Sequence, residues 1–114
     1  THQGVQRPGR PANPEGLRWG SKADRNRMSD LIAMAADFGK DTDRPVWLGE
    51  FGTYYKVELA ERVKWAAYVR SEAERHGLSW AYWSFCSAKF GLYCQETKRW
   101  DRELMKALFP SRPE

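Results

Sequence analysis

Pro45-Val46-Trp47-Leu48-Gly49-Glu50-Phe51-Gly52 is nearly continuous in apolar character up to its glutamate. Such a run reads as a short strand, 45–51, buried on both faces as strands of parallel sheets are. Pro45 at its first position removes no ladder bond that is needed. Glu50 then stands at the C-terminal end of an otherwise apolar strand. Burying an unpaired carboxylate is costly. Glu50 therefore has either a chemical purpose or a capping or ion-pair partner.

Upstream, residues 1–20 carry Pro8, Gly9, Pro11, Pro14, Gly16 and Gly20 and read as a loop. A helix over 21–39 follows. Ser21 can cap it, with Asp24 three residues on. Met28, Leu31, Ile32, Ala35 and Phe38 recur at helical spacing as one apolar stripe, and Gly39 with the polar stretch to Arg44 ends it. Downstream of the strand, a helix over 57–76 turns Leu59, Val63, Ala66, Val69 and Ala73 inward, and Gly77 is its stop. Leu78-Ser79-Trp80-Ala81-Tyr82-Trp83-Ser84-Phe85 is a second apolar strand, 78–85. A loop from Cys86 to Arg99 leads to a last helix over 100–109, closed by Pro110. Strands alternating with helices imply parallel pairing and an α/β fold. Two strands buried on both faces need neighbours, and a two-stranded sheet is not stable alone. The expectation is a piece of a larger sheet.

The chain of 114 residues is the size of one small domain, and its 41% hydrophobic and 30% charged content excludes disorder. It holds no apolar run of the roughly 18 residues that a membrane span needs. Its start, Thr-His-Gln-Gly, has neither a methionine nor a signal pattern, which suggests a chain that begins inside a larger reading frame. The net charge of +4 comes from 19 basic and 15 acidic residues, with arginines spread from Arg7 to Arg112. That describes an ordinary solvated surface, with polyanion binding as the lesser alternative and nucleic acid not an expected partner. Cys86 and Cys94 read as two free thiols, or alternatively one disulfide. The six Trp, five Tyr and five Phe suit either a core or a sugar site, because sugar rings present apolar C–H faces. His2 and His76 fit no metal-ligand spacing, no glycine-rich phosphate loop follows a strand, and no serine sits in a nucleophile elbow. No metal or cofactor is expected.

Four stretches, taken in order, carry a family resemblance: Thr1-His2-Gln3-Gly4, then Pro45 to Gly52, then Trp80-Ala81-Tyr82-Trp83-Ser84-Phe85-Cys86, then Phe90-Gly91-Leu92-Tyr93 with Trp100 and Leu104 to Leu108. Together they resemble the C-terminal part of a family-5 glycoside hydrolase of the cellulase, or endo-β-1,4-glucanase, type. The resemblance implies an incomplete (β/α)8 barrel: strands seven and eight, helices six, seven and eight, and a loop over 1–20 that follows strand six. In such barrels catalytic groups sit at the C-terminal ends of the strands.

By that resemblance Glu50 is the nucleophile of a retaining glycosidase and Trp83 lies under the sugar ring beside the cleaved bond. His2 hydrogen-bonds a sugar hydroxyl, and Lys89 lines the cleft. Trp83 has a core residue as its lesser alternative; read without the family, His2 is a solvent-exposed loop histidine, and Tyr54 and Tyr55 are cleft or packing residues. Three positions depart from the family's pattern: Cys94 follows Gly-Leu-Tyr where aspartate is common, Val5-Gln6-Arg7 offers no aromatic, and Ser84 replaces a glutamate of some relatives. The Asn-Glu-Pro-type motif that bears the general acid does not occur in this chain. Glu58, Glu61, Glu72 and Glu74 lie on a helix and are not expected to face Glu50. A retaining mechanism needs both carboxylates, so the chain alone is expected to be nearly inactive. Its expected partners are a β-glucan and either further copies of itself or the N-terminal part of a barrel. The parent enzyme is expected to be secreted or periplasmic. The alternative reading is a non-catalytic, self-associating or carbohydrate-binding module.

Overall fold

The computed structural model describes residues 16–110. His2 and the rest of 1–15 lie outside them, as do 111–114. Helix α1 spans Lys22–Thr42, strand β1 Trp47–Phe51, helix α2 Leu59–Arg75 and strand β2 Ser79–Tyr82. A two-residue hairpin, β3 (Tyr93–Cys94) and β4 (Arg99–Trp100), precedes helix α3, Arg102–Leu108.

Each helix begins and ends for a local chemical reason. Ser21 Oγ accepts the Asp24 N–H at 3.1 Å, and the Asp24 carboxylate accepts from the N–H groups of Ser21 and Gly20, which closes a capping box on α1. α1 runs through Gly39 instead of stopping there. A Cβ at position 39 would lie 2.9 Å from both the Arg44 carbonyl oxygen and Val46 Cγ2, so this glycine makes room for the returning chain. The helix stops at Asp43, which takes left-handed φ 52°, and Arg44 N–H donates back to the Gly39 carbonyl at 2.9 Å. α2 ends in a Schellman motif. Gly77, at φ 73°, donates to the Glu74 carbonyl at 3.0 Å, and Leu78 donates to Ala73 at 2.8 Å. α3 starts later than its apolar pattern suggests because Arg99 and Trp100 are taken by β4; the Asp101 carboxylate then caps it from 3.1 Å.

β1 and β2 pair in parallel, with Trp47 opposite Ser79, Leu48 opposite Trp80 and Phe51 opposite Tyr82, and an irregularity between. α2 crosses between them and α3 packs on α2. The strand expected over 78–85 is shortened because its partner ends at Phe51. Trp83 N–H makes a last bond to the Phe51 carbonyl at 2.8 Å, a cis peptide joins Trp83 to Ser84, and the carbonyls of Ser84 and Phe85 accept instead from Leu92 N–H at 3.0 Å.

The main core gathers around Phe51, whose ring meets Trp65, Trp80 and Tyr82 at 5.5–5.9 Å, over Ala66, Val69, Leu104 and Leu108. A second cluster joins Ile32 and Ala36 of α1 to Ala73 and Leu78. Neither strand is buried on both faces as its composition suggests. Of β1 only Phe51 is buried, and Trp47 is 66% exposed. Leu31 and Phe38 of the α1 stripe are also exposed, with Met34 beside them, and so is Leu59 at the start of α2. The reason is the extent of the sheet: among the described residues it holds two strands, and the helices cover one side of it.

Candidate active site

Parallel pairing brings the C-terminal ends of β1 and β2 to the same edge. Glu50 lies one residue before the Phe51–Tyr82 pair and Trp83 one residue after it. The two backbones meet closely there. A Cβ at Gly52 would collide with the Trp83 carbonyl oxygen, so only glycine lets the chain leave β1 beside Trp83. Glu50 and Trp83 line one groove of about 560 Å³, whose other walls include Leu31, Trp47, Phe51 and Phe90. It is apolar almost throughout, and Glu50 is its one carboxylate among the described residues.

Glu50 is exposed, and its carboxylate makes no hydrogen bond or ion pair with a described residue. The burial cost inferred from its apolar strand therefore does not apply; the strand end opens onto the groove. No cap or ion pair from the described residues occupies it either, which leaves the carboxylate open to the groove. Trp83 is half-exposed and packs on no other described ring, unlike the core tryptophans Trp65 and Trp80.

Glu58, which precedes α2, and the three glutamates within that helix are all engaged elsewhere. Glu58 accepts from Arg18 at 3.3 Å, Glu61 from Trp19 N–H at 2.6 Å and from Lys64, Glu72 from Ser29 and Arg75, and Glu74 from Arg70 and Trp80 Nε1. The Lys64 ammonium first, then the Trp19 N–H, holds the Glu61 carboxyl below its ordinary pKa. The Arg75 guanidinium, with help from Ser29, does the same for Glu72.

Lys89 is not brought beside Glu50. It lines a separate cavity of about 630 Å³ with Tyr55, Arg62, Cys86 and Cys94, and its carbonyl accepts the Tyr55 N–H at 2.8 Å. Tyr54 and Tyr55 divide between the two spaces. Tyr54 packs on Phe90, a wall of the groove, with ring centroids 6.0 Å apart, while Tyr55 belongs to the other cavity. Both cysteines are free and exposed. The Thr97 side chain, then its backbone N–H, holds the Cys94 thiol below its usual pKa.

One residue escaped the sequence reading. Arg62 is buried, and its guanidinium donates to Thr53 Oγ1 at 3.0 Å and to the Thr53 carbonyl at 3.4 Å. It thereby ties down the segment that follows Glu50. The signal was a charge at the i−4 position to Ala66, within the inward stripe of α2.

Residues 9–89 match the family described as Cellulase (glycosyl hydrolase family 5). Endoglucanase B of Clostridium cellulovorans is 36% identical over 89 residues, which is 72% of this chain and 20% of that protein. The structure of Thermotoga maritima Cel5A in complex with cellobiose superposes with a TM-score of 0.78 at 36% identity, covering 82% of this chain and 30% of that one. The cellulose synthase subunit Z of Clostridioides difficile follows with a TM-score of 0.76 at 30% identity, covering 81% of this chain and 31% of that one. The chain thus spans a fifth to a third of the length of these relatives.

Proposed function

The chain belongs to the cellulase family, glycosyl hydrolase family 5, and from that membership we propose that Glu50 is the nucleophile, and Trp83 the sugar platform, of a retaining site for β-1,4-glucan. One observation carries the reading: an exposed, unpaired carboxylate and a half-exposed tryptophan share one apolar groove at the C-terminal edge of two parallel strands. In this reading Trp83 offers its face to the C–H face of a sugar ring, and Glu50 attacks the anomeric carbon to form a glycosyl ester that water then releases. Lys89 acts at most at the outer margin, from the loop that also carries Phe90. The polymeric nature of the substrate places the work outside the cytoplasm. Strands β1 and β2 are the last two of the barrel, and His2, outside the described residues, serves a sugar hydroxyl.

The leaving oxygen needs a proton, and no second carboxylate among the described residues lines the groove. General-acid assistance contributes roughly 10² to 10⁴ in rate, so this chain by itself turns over natural β-glucan slowly or not at all. An activated substrate separates the two roles. A 2,4-dinitrophenyl 2-deoxy-2-fluoro-cellobioside has a leaving group that departs without protonation, and its ester is long-lived. Incubation with the chain, followed by peptide mass spectrometry, is expected to find the label on Glu50 and none in Glu50→Gln. A label on another residue, or labelling that persists in the variant, removes Glu50 from the role.

A second reading rests on a different observation. Among the described residues β1 has one partner strand; its Trp47 is exposed, as are Leu31, Met34 and Phe38 of α1. An apolar sheet edge of this kind is a template for further strands. They come from other copies of the chain or from the rest of a barrel, and the groove is completed by whichever binds.

A further inference from the structure

The β3–β4 hairpin carries a feature that the glucan site does not use. Lys98, Arg99, Trp100 and Arg102 line a cavity of about 310 Å³ that contains no carboxylate. None of the three cationic side chains makes a hydrogen bond or ion pair with a described residue. Of the nearby acids, Asp101 caps α3 through Leu104 N–H, Glu103 faces Lys106 at 3.9 Å, and Glu96 lines the adjoining cavity, with Arg99, and not this one. Lys98 sits at φ 55° in the tight turn between the strands, which sets it beside Arg99 at the hairpin's end. Trp100 is 47% exposed, yet its ring is held by Tyr93 at 5.0 Å and Phe85 at 5.5 Å between centroids. The result is a fixed aromatic side chain beside three positive charges, none in an ion pair with a described residue.

We propose that this cavity is a second glycan site, specific for a carboxylate-bearing sugar of an acidic polysaccharide. The indole takes the C–H face of a sugar ring, as aromatic platforms do. The guanidinium groups of Arg99 and Arg102 suit a carboxylate, which planar N–H forks engage in bidentate fashion, and Lys98 adds a point charge. The site's small extent favours a single charged sugar unit over a nucleic acid, whose binding draws on an array of phosphate contacts. Its residues are separate from Glu50 and Trp83, so it stands or falls independently of the proposed catalytic role.

The test is affinity electrophoresis of the chain in gels holding polygalacturonate or neutral hydroxyethylcellulose. The triple variant Lys98→Ala/Arg99→Ala/Arg102→Ala is expected to weaken retardation by polygalacturonate roughly tenfold, as loss of charge-assisted contacts does. Trp100→Ala weakens it too, and retardation by the neutral glucan is unchanged in the triple variant. Lys22→Ala/Arg27→Ala/Lys40→Ala removes three exposed charges from the region of α1 and serves as the net-charge control; it is expected to change retardation less than about twofold, as scattered surface charges contribute little. Equal losses in the two triple variants, or none in the first, overturn the proposal. So does single-stranded DNA that competes as well as polygalacturonate and loses binding in the same variants, since that result assigns the cavity to nucleic acid. Circular dichroism checks that each variant keeps its fold.

Discussion

The Glu72 carboxylate accepts from Ser29 at 3.0 Å and from Arg75 at 2.6 Å, whereas that of Glu50 accepts from no described residue. Glu72 is a structural charge: it ties α2 to α1, and Arg75 lowers its pKa. A carboxylate whose pKa is lower in the folded chain than in the unfolded one stabilises the fold above its unfolded value and loses that contribution as pH falls through the folded value. Glu61 and Asp24 are lowered as well, so all three contribute with the same sign. The urea midpoint is expected to be level from about pH 7 to about pH 5 and to fall below about pH 4, where the unfolded carboxylates bind protons. Glu72→Gln should make that fall shallower, and an unchanged pH profile in the variant would remove Glu72 from the account. Trp83 behaves differently. Because its ring packs on no other described ring, Trp83→Ala should leave the thermal midpoint in place while weakening a neutral cello-oligosaccharide roughly tenfold in a fluorescence titration, the scale of a lost aromatic platform.

β1, α2 and β2 form the unit that holds the site, and their ends are set by backbone chemistry. Gly77 adopts φ 73° to close α2 and start β2. Gly77→Ala is expected to cost roughly 1–2 kcal/mol in denaturant unfolding, the strain of a left-handed residue with a Cβ; a variant as stable as the parent would mean that the turn can relax. Much of this unit, and of α1 before it, was legible in the sequence. The Ser21/Asp24 box, Gly77 and the apolar runs around Trp47 and Trp80 are local signals with local causes. The hairpin was not legible, because β3 and β4 hold two residues each and so show no alternation. Gly39 misled as a helix stop, since its purpose is the approach of Val46, a contact that spacing along one helix does not reveal. At the site, the strand-end position of Glu50 could be read from pattern alone, but its exposure could not. That Lys89 faces another cavity depends on how the chain turns after the Trp83–Ser84 bond, which composition does not encode.

Across the whole molecule, apolar surface is unevenly covered. Leu104 and Leu108 are fully enclosed beneath α2, while Leu31 and Phe38 of α1 and Trp47 of β1 are exposed. Exposed apolar residues, together with a strand edge that no described strand pairs, favour association. Light scattering is expected to give a mass that rises with protein concentration, and Leu31→Lys/Phe38→Lys should lower it toward that of one chain. A single-chain mass at every concentration would show that this face needs no cover. The contact of Gly52 with the Trp83 carbonyl, together with the Trp83–Phe51 backbone bond, has a consequence for how such enzymes recombine. The backbones that carry Glu50 and Trp83 are fitted to each other at this contact. A crossover before Trp47 or after Trp83 is expected to transfer the two residues in register between homologues, whereas one between them joins two halves whose backbones were never fitted to each other.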